Sequence, residues 1–141
     1  MNFDANERAL LAALADVLIP AGDGFPSGSE AGVADAGLDQ VLTFRPDLAA
    51  GLKDLLGSVR GQSAVEFVAA LPNKDPAGLG LLTELVPGAY FLNQQVLDRL
   101  NYHGQGPQPI DPRPDYLDDD LLRTPINRGP IYRPTPGGER R

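Results

Sequence analysis

His103 is the only histidine in the chain. It sits in Asn101-Tyr102-His103-Gly104-Gln105. A histidine in a cleft can act as a general base or a metal ligand, but nothing nearby in sequence supplies a partnered nucleophile or a second ligand. The favoured reading is a hydrogen-bonded structural residue where the last helix of the body gives way to the tail. Asp118-Asp119-Asp120 offer hard oxygen ligands of the kind calcium takes, yet they lack the alternating oxygens, central glycine and distant Glu of a calcium loop. They suit a solvated cap for a short turn, Leu121-Leu122-Arg123, ending near Pro125. Gly22, Gly24 and Gly28 resemble a phosphate cradle only in glycine content. No strand precedes them, and neither the Lys-Ser/Thr ending nor dinucleotide spacing follows, so a plain loop explains them. Arg128, Arg133, Arg140 and Arg141 could hold a phosphate. Arginine also forks and stacks well at interfaces, which is the reading for Arg128 and Arg133, with the terminal pair solvated.

The residue budget therefore points to binding rather than bond making. No cysteine is present among the 141 residues. Disulfides, thiolate zinc sites and cysteine-held iron–sulfur clusters are excluded. The net charge of −7 is uneven. Residues 1–100 carry 13 acids against six Lys or Arg, while residues 101–141 carry six of each sign. An acidic body argues against a nucleic-acid backbone as partner and against an anionic membrane held through a basic patch. No apolar run reaches the ~18 residues a membrane span needs, so no direct membrane insertion is expected.

The elements that must position any site read as helices. Asp4 and Glu7 have capping-box spacing, and Leu10, Leu11, Leu14, Val17 and Leu18 follow as one stripe that Pro20 stops. A second helix is predicted from about Ser29 or Gly32 to Thr43, weakened by Gly32 and Gly37. Pro46 suits the first position of a third, with Leu48, Leu52, Leu55, Leu56 and Val59 as its buried face. Ser63 and Glu66 form a second capping box, for a short helix that Pro72 should end. Asp75-Pro76 starts the last helical stretch, which runs to about Leu100 and should kink or split at Pro87-Gly88. Beyond the break, Ala89, Leu92, Val96, Leu97 and Leu100 line one face. Phe91 lies off it, which makes it a candidate contact. No strand alternation with a hairpin turn is visible. The fold class is all-α: a small bundle of about five helices over 1–100, followed by an extended Pro-rich C-terminal arm over 101–141.

That arm holds eight of the 14 prolines and six arginines. Tyr102, Ile110, Tyr116, Leu117, Leu121, Leu122, Ile126, Ile131 and Tyr132 recur along it. A disordered spacer would be poorer in such anchors. An arm that lays apolar pegs on another protein would have this composition. The candidate partner interface is Phe91, Tyr102, His103, Gly104, Gln105, Tyr116, Arg128, Ile131, Tyr132, Arg133 and Pro134, with no catalytic, cofactor-binding or metal residue assigned.

Three segments resemble a known family. Leu11-Ala12-Ala13-Leu14-Ala15-Asp16-Val17-Leu18-Ile19-Pro20, then the glycine loop and Glu30-Ala31-Gly32-Val33, look like the opening of gluconate 2-dehydrogenase subunit 3 proteins. Asn101-Tyr102-His103-Gly104-Gln105 resembles that family's aromatic-Gly junction after the last helix. Gly129-Pro130-Ile131-Tyr132-Arg133-Pro134-Thr135-Pro136 is similar to the closing arm of its sugar-dehydrogenase relatives. The resemblance implies a non-catalytic accessory subunit that binds, stabilises or chaperones a large oxidoreductase of the glucose–methanol–choline type. That flavoprotein would hold FAD and oxidise a sugar, sugar acid or other alcohol. Electrons would leave through a haem or other acceptor protein. No cofactor is expected on this chain, and no family residue is carried over as catalytic. Many relatives begin with a twin-arginine export signal; Met1 to Arg8 show none. The cytoplasm is therefore expected, or the periplasm if a signal-bearing partner exports both. The alternatives from other classes are a stand-alone hydrolase using His103 with an aspartate, and an adaptor unrelated to redox chemistry.

Overall fold

Asp4 and Glu7 do form a reciprocal cap. The Glu7 amide donates to Asp4 Oδ1 and the Asp4 amide to Glu7 Oε2, each at 2.9 Å. They open α1, Ala5–Leu18, in a computed structural model that describes residues 2–59, 61–106, 122–129 and 131. Leu11, Leu14 and Ala15 are fully buried, while Leu10 stands at the edge of the stripe and stays partly in solvent. The chain separates into two units, Met1–Gly104 and Gln105–Arg141. The described residues are helical, with no strand among them and one isolated bridge between Gly22 and Phe25.

In the first unit α1 is followed by a π-helical turn, Val33–Gly37, and then α2, Leu38–Phe44; α3, Leu48–Ser58; α4, Ala64–Lys74; α5, Pro76–Tyr90; and α6, Gln94–Arg99. α5 is the central element and packs on α1, α2, α3 and α4. Its Leu82, Leu85, Val86 and Ala89 meet Leu11, Leu14, Leu38 and Leu52 in one core. The stripe Leu48, Leu52, Leu55, Leu56 and Val59 is buried throughout. The second unit contains one described helix, α7, Arg123–Arg128.

Within the body, four expectations about boundaries are corrected. The second helix is not regular from its start: Gly32 takes a left-handed φ of 70° and Asp35 departs from helical geometry, so the α-helix proper begins only at Leu38. The Arg8 guanidinium meets this kink, donating to the Ala34 carbonyl at 2.8 Å and to the Asp35 carbonyl at 3.2 Å, and pairing with Asp39 at 2.6 Å. A carbonyl left without its helical donor needs such a partner. Gly37 packs tightly on α5, where a β-carbon would lie 3.0 Å from the Ala89 β-carbon.

Pro46 does not start α3; it opens a tight turn in which the Leu48 amide bonds Arg45 and the Ala49 amide bonds Pro46. Pro72 does not end α4. It sits in the last turns, where buried Leu71 anchors the helix and the Asp75 amide still reaches the Leu71 carbonyl at 2.9 Å. Pro87 does not split α5 either. Val86, Ala89 and Tyr90 are buried on both sides of it, and the Phe91 amide closes on the Pro87 carbonyl at 3.0 Å. Packing outweighs the lost amide here. The break falls instead at Asn93, whose side chain caps the Gln95 and Val96 amides and so starts α6.

The cap at Asp75 is as expected, with Pro76 at the first helical position and the Asp75 carboxylate accepting from the Gly78 amide at 2.9 Å. So is the box at Ser63 and Glu66. Pro125 begins a structure rather than ending one: it lies in the first turn of α7, where its missing N–H is no loss, and Gly129, with φ 69°, terminates the helix. No helix among the described residues is long and apolar enough to cross a membrane.

Candidate functional site

The glycine loop between α1 and the π turn is held at many points. The Asp16 carboxylate accepts from the Ser29 amide at 2.7 Å and from the Ser29 hydroxyl at 2.8 Å. Ser27 and Glu30 form a third capping box: the Ser27 amide donates to Glu30 Oε2 at 2.8 Å and the Glu30 amide to Ser27 Oγ at 3.3 Å. Gly28 passes so close to α1 that a β-carbon there would come within 2.7 Å of the Ala15 β-carbon. At the loop's tip Asp23 and Gly24 both have positive φ, 49° and 81°. Gly22 and Phe25 exchange backbone hydrogen bonds across them. Asp-Gly is the pair such a turn prefers.

The same loop is tied to the α5–α6 region. The buried Tyr90 hydroxyl donates to the Pro26 carbonyl at 2.8 Å, the Asn93 amide nitrogen to the Ala31 carbonyl at 2.8 Å, and Arg99 Nη1 to the Gly24 carbonyl. At one end of the bundle, loop 22–31, the α5–α6 turn and the end of α6 are therefore tied together by hydrogen bonds. Phe91 and Tyr102 lie in this region and are about half exposed, as are Leu92 and Leu100. The Phe91 ring stands edge-on to Tyr90 with centroids 5.5 Å apart.

His103 and Gly104 follow directly. α6 ends in a Schellman-type cap: the Tyr102 amide bonds the Leu97 carbonyl at 2.9 Å and the Asn101 amide bonds the Asp98 carbonyl at 3.1 Å. Asn101 takes the left-handed position with φ 53°, a role asparagine shares with glycine. The ordered body thus extends past Leu100 to at least Tyr102. His103 Nε2 meets Asn101 Oδ1 at 2.9 Å, in solvent. That bond steadies the junction and brings no carboxylate or hydroxyl nucleophile to the ring.

In the second unit, Gln105 and Arg128 are exposed and so is Ile131. Tyr116, Tyr132, Arg133 and Pro134 lie outside the described residues, as do Ile110, Leu117, Leu121, Asp118 to Asp120, Arg140 and Arg141. Among the described residues no group of three His, Cys, Asp or Glu side chains is placed to hold a metal. Shallow depressions mark the body, one of about 280 Å³ lying between α3 and α5 beside Gly51, Leu55, Gly78 and Leu81. One of about 320 Å³ between α2 and α3 is lined by Leu42, Pro46, Ala49 and Ala50 with Asp39 and Thr43. Another of about 260 Å³ lies beside Phe67, Leu71 and Lys74. None of the three is lined by His103.

Electrostatics favours structure over reactivity in this region. Burial raises the Asp16 pKa, but the Ser29 amide and the Ser27 and Ser29 hydroxyls outweigh it and hold the carboxyl below its ordinary value of 3.8. Burial pushes the Tyr90 phenol above its ordinary 10.0, opposed by Arg99 and reinforced by Glu30. A depressed carboxyl contributes stability that is present above its unfolded pKa and is lost as the pH falls through the native value. Asp16→Asn is therefore expected to cost about 1–2 kcal/mol near pH 7, as for a hydrogen bond to a charged group. In urea unfolding the difference from wild type should shrink below about pH 4. A difference that stays constant from pH 7 to about pH 3 would show that the charge on Asp16 does no work.

Sequence reasoning missed the Ser27–Glu30 box and the Tyr90, Asn93 and Arg99 ties. The box carried a local signal, Ser followed three residues later by Glu, submerged in a glycine-rich stretch. The ties join residues more than 60 positions apart and leave no local pattern. Comparison with protein-family models, with curated proteins and with solved structures gave no match to this chain.

Proposed function

We propose that this chain is a non-catalytic small subunit that binds and stabilises a large FAD-dependent oxidoreductase of the glucose–methanol–choline type, acting on sugars or related alcohols. The support begins with the sequence segments that resemble gluconate 2-dehydrogenase subunit 3: the opening helix with its loop, the junction at Asn101 to Gln105 and the closing arm. The observation that carries the binding role is the half-exposed apolar set Phe91, Leu92, Leu100 and Tyr102 on the braced end of the body, followed in sequence by a stretch rich in Tyr, Ile and Arg. FAD belongs to the partner in this reading, and electrons pass onward to a haem or other acceptor protein. The compartment follows the partner: the cytoplasm, or the periplasm where a signal-bearing partner carries both.

Binding to the native form alone raises a protein's apparent stability by mass action. Adding the purified chain to the flavoprotein should raise the thermal midpoint of flavin release by several degrees. The chain alone should show no flavin absorbance and reduce no artificial electron acceptor with sugar or alcohol substrates. Turnover by the isolated chain would refute the assignment. His103→Ala should leave turnover of the assembled complex within about threefold of wild type, since general acid–base groups contribute ~10²–10⁴-fold. A loss of that larger size at unchanged assembly would put His103 in the active site.

A further inference from the structure

The exposed apolar side chains of the body are not scattered. Among the described residues of 1–104, seven large hydrophobics are exposed, and four of them, Phe91, Leu92, Leu100 and Tyr102, fall between positions 91 and 102. Single exposed hydrophobics are ordinary, whereas a concentration marks an interaction surface. Val96 and Leu97 explain the geometry. Val96 is fully buried and Leu97 half-buried, so the apolar face of α6 points into the core at its middle, and Leu100, one turn on, carries that face out past the core's edge.

The charges on these segments are mostly acidic, three carboxylates against one arginine. Arg99 reaches across to the Gly24 carbonyl, which fixes the Asp23-Gly24 turn beside the end of α6. Asp23 and Glu30 on the loop and Asp98 on α6 are all exposed. Arg99 is the only cation from position 91 to position 106, and one of its nitrogens is engaged by the loop. The four apolar side chains and the three carboxylates thus sit on segments that the Tyr90, Asn93 and Arg99 hydrogen bonds tie together, an arrangement organised before any partner arrives.

We propose that this end of the body is a protein-docking face, and that it takes a partner surface with an apolar centre ringed by Lys or Arg. The charge pattern selects the occupant. A second copy would set the same carboxylates against each other in a two-fold contact. An anionic lipid surface would repel them. A basic rim would be steered toward them and held in register. Four side chains are fewer than the ~20–30 residues per side of a standard interface, so they act as its energetic centre and the rim completes the area. This inference rests on the proposed function for the identity of the partner but not for the location or polarity of the face.

The test keeps those two apart. Full-length chain carrying the photo-crosslinking residue p-benzoylphenylalanine at position 91, 100 or 65 is expressed in its native host, with Val65 on α4 as the exposed control. Crosslinks from 91 and 100, and not from 65, to one other polypeptide are expected. Binding of the purified pair should weaken at least ~10-fold between about 50 and about 500 mM salt. Asp23→Asn with Asp98→Asn should weaken it about 3–10-fold at low salt and flatten the salt dependence. Asparagine tolerates the positive φ at position 23, so the fold is preserved. A flavin-bearing crosslinked polypeptide supports both readings; a flavin-free one with the same salt behaviour keeps the docking face and removes the flavoprotein assignment. Crosslinks to a second copy, crosslinks from 65 alone, no crosslink from 91 and 100, or binding indifferent to salt and to the Asn pair would overturn the docking face.

Discussion

Leu85→Ala should lower the unfolding free energy of the body by roughly 3–5 kcal/mol, the range for emptying a fully buried leucine site. Leu85 has no solvent exposure and lies on α5, the helix against which α1 to α4 all pack. Neighbours on every side are held by other helices, so the site can collapse little, which places the cost toward the upper part of that range. Domains of this size have about 5–15 kcal/mol in total, and each kcal/mol shifts the thermal midpoint by about 4–8 °C for a body of roughly a hundred residues. The midpoint read by circular dichroism should therefore fall by some 12 °C or more. Leu10→Ala, at the exposed edge of α1's stripe, should cost less than about 1 kcal/mol by the usual behaviour of surface positions. Equal effects at the two leucines would mean that α5 is not the centre of the bundle.

Removing everything after Gly104 should leave a folded helical body and weaken capture of the proposed flavoprotein partner by at least ~100-fold, or about 2.7 kcal/mol. The cut belongs there rather than after Leu100, because the amides of Asn101 and Tyr102 close α6. The magnitude follows from opposing terms. Each buried Tyr, Ile or Leu contributes roughly 1.5–3 kcal/mol, and ordering the backbone costs ~1–2 kcal/mol per residue. Proline lessens that cost by restricting the unbound chain, and the removed segment carries eight of the 14 prolines. Several anchors, with Ile131 and Tyr132 foremost, are needed for a net gain. Capture by the shortened chain equal to that of the full chain would show that the tail contributes nothing and that the docking face acts alone.

What was legible in the sequence was local. Asp4–Glu7, Ser63–Glu66 and Asp75-Pro76 announced helix starts because a cap is a contact within one turn, and all three caps form. Leu48 to Val59 announced a buried face because a helix repeats its own pattern. The prolines misled, since Pro72 and Pro87 were weighed by propensity while buried Leu71, Val86, Ala89 and Tyr90 decided the matter through packing. The kink at Asp35 was illegible because its partner, Arg8, comes from 27 residues away. Phe91 could be singled out by its position off the helical face. That it lies on the same end of the helical body as the Asp23-Gly24 turn could not, because only the Arg99 and Tyr90 hydrogen bonds reveal it.

The decisive measurement is purification of the tagged full-length chain from its native host, with an absorbance spectrum and mass analysis of whatever accompanies it. A larger polypeptide in fixed ratio, yellow with bound flavin and oxidising a sugar or alcohol only in that larger chain, is the expected result. A colourless partner, or a small chain that purifies alone and turns over substrate with its own side chains, would show that it does not serve a flavoprotein at all.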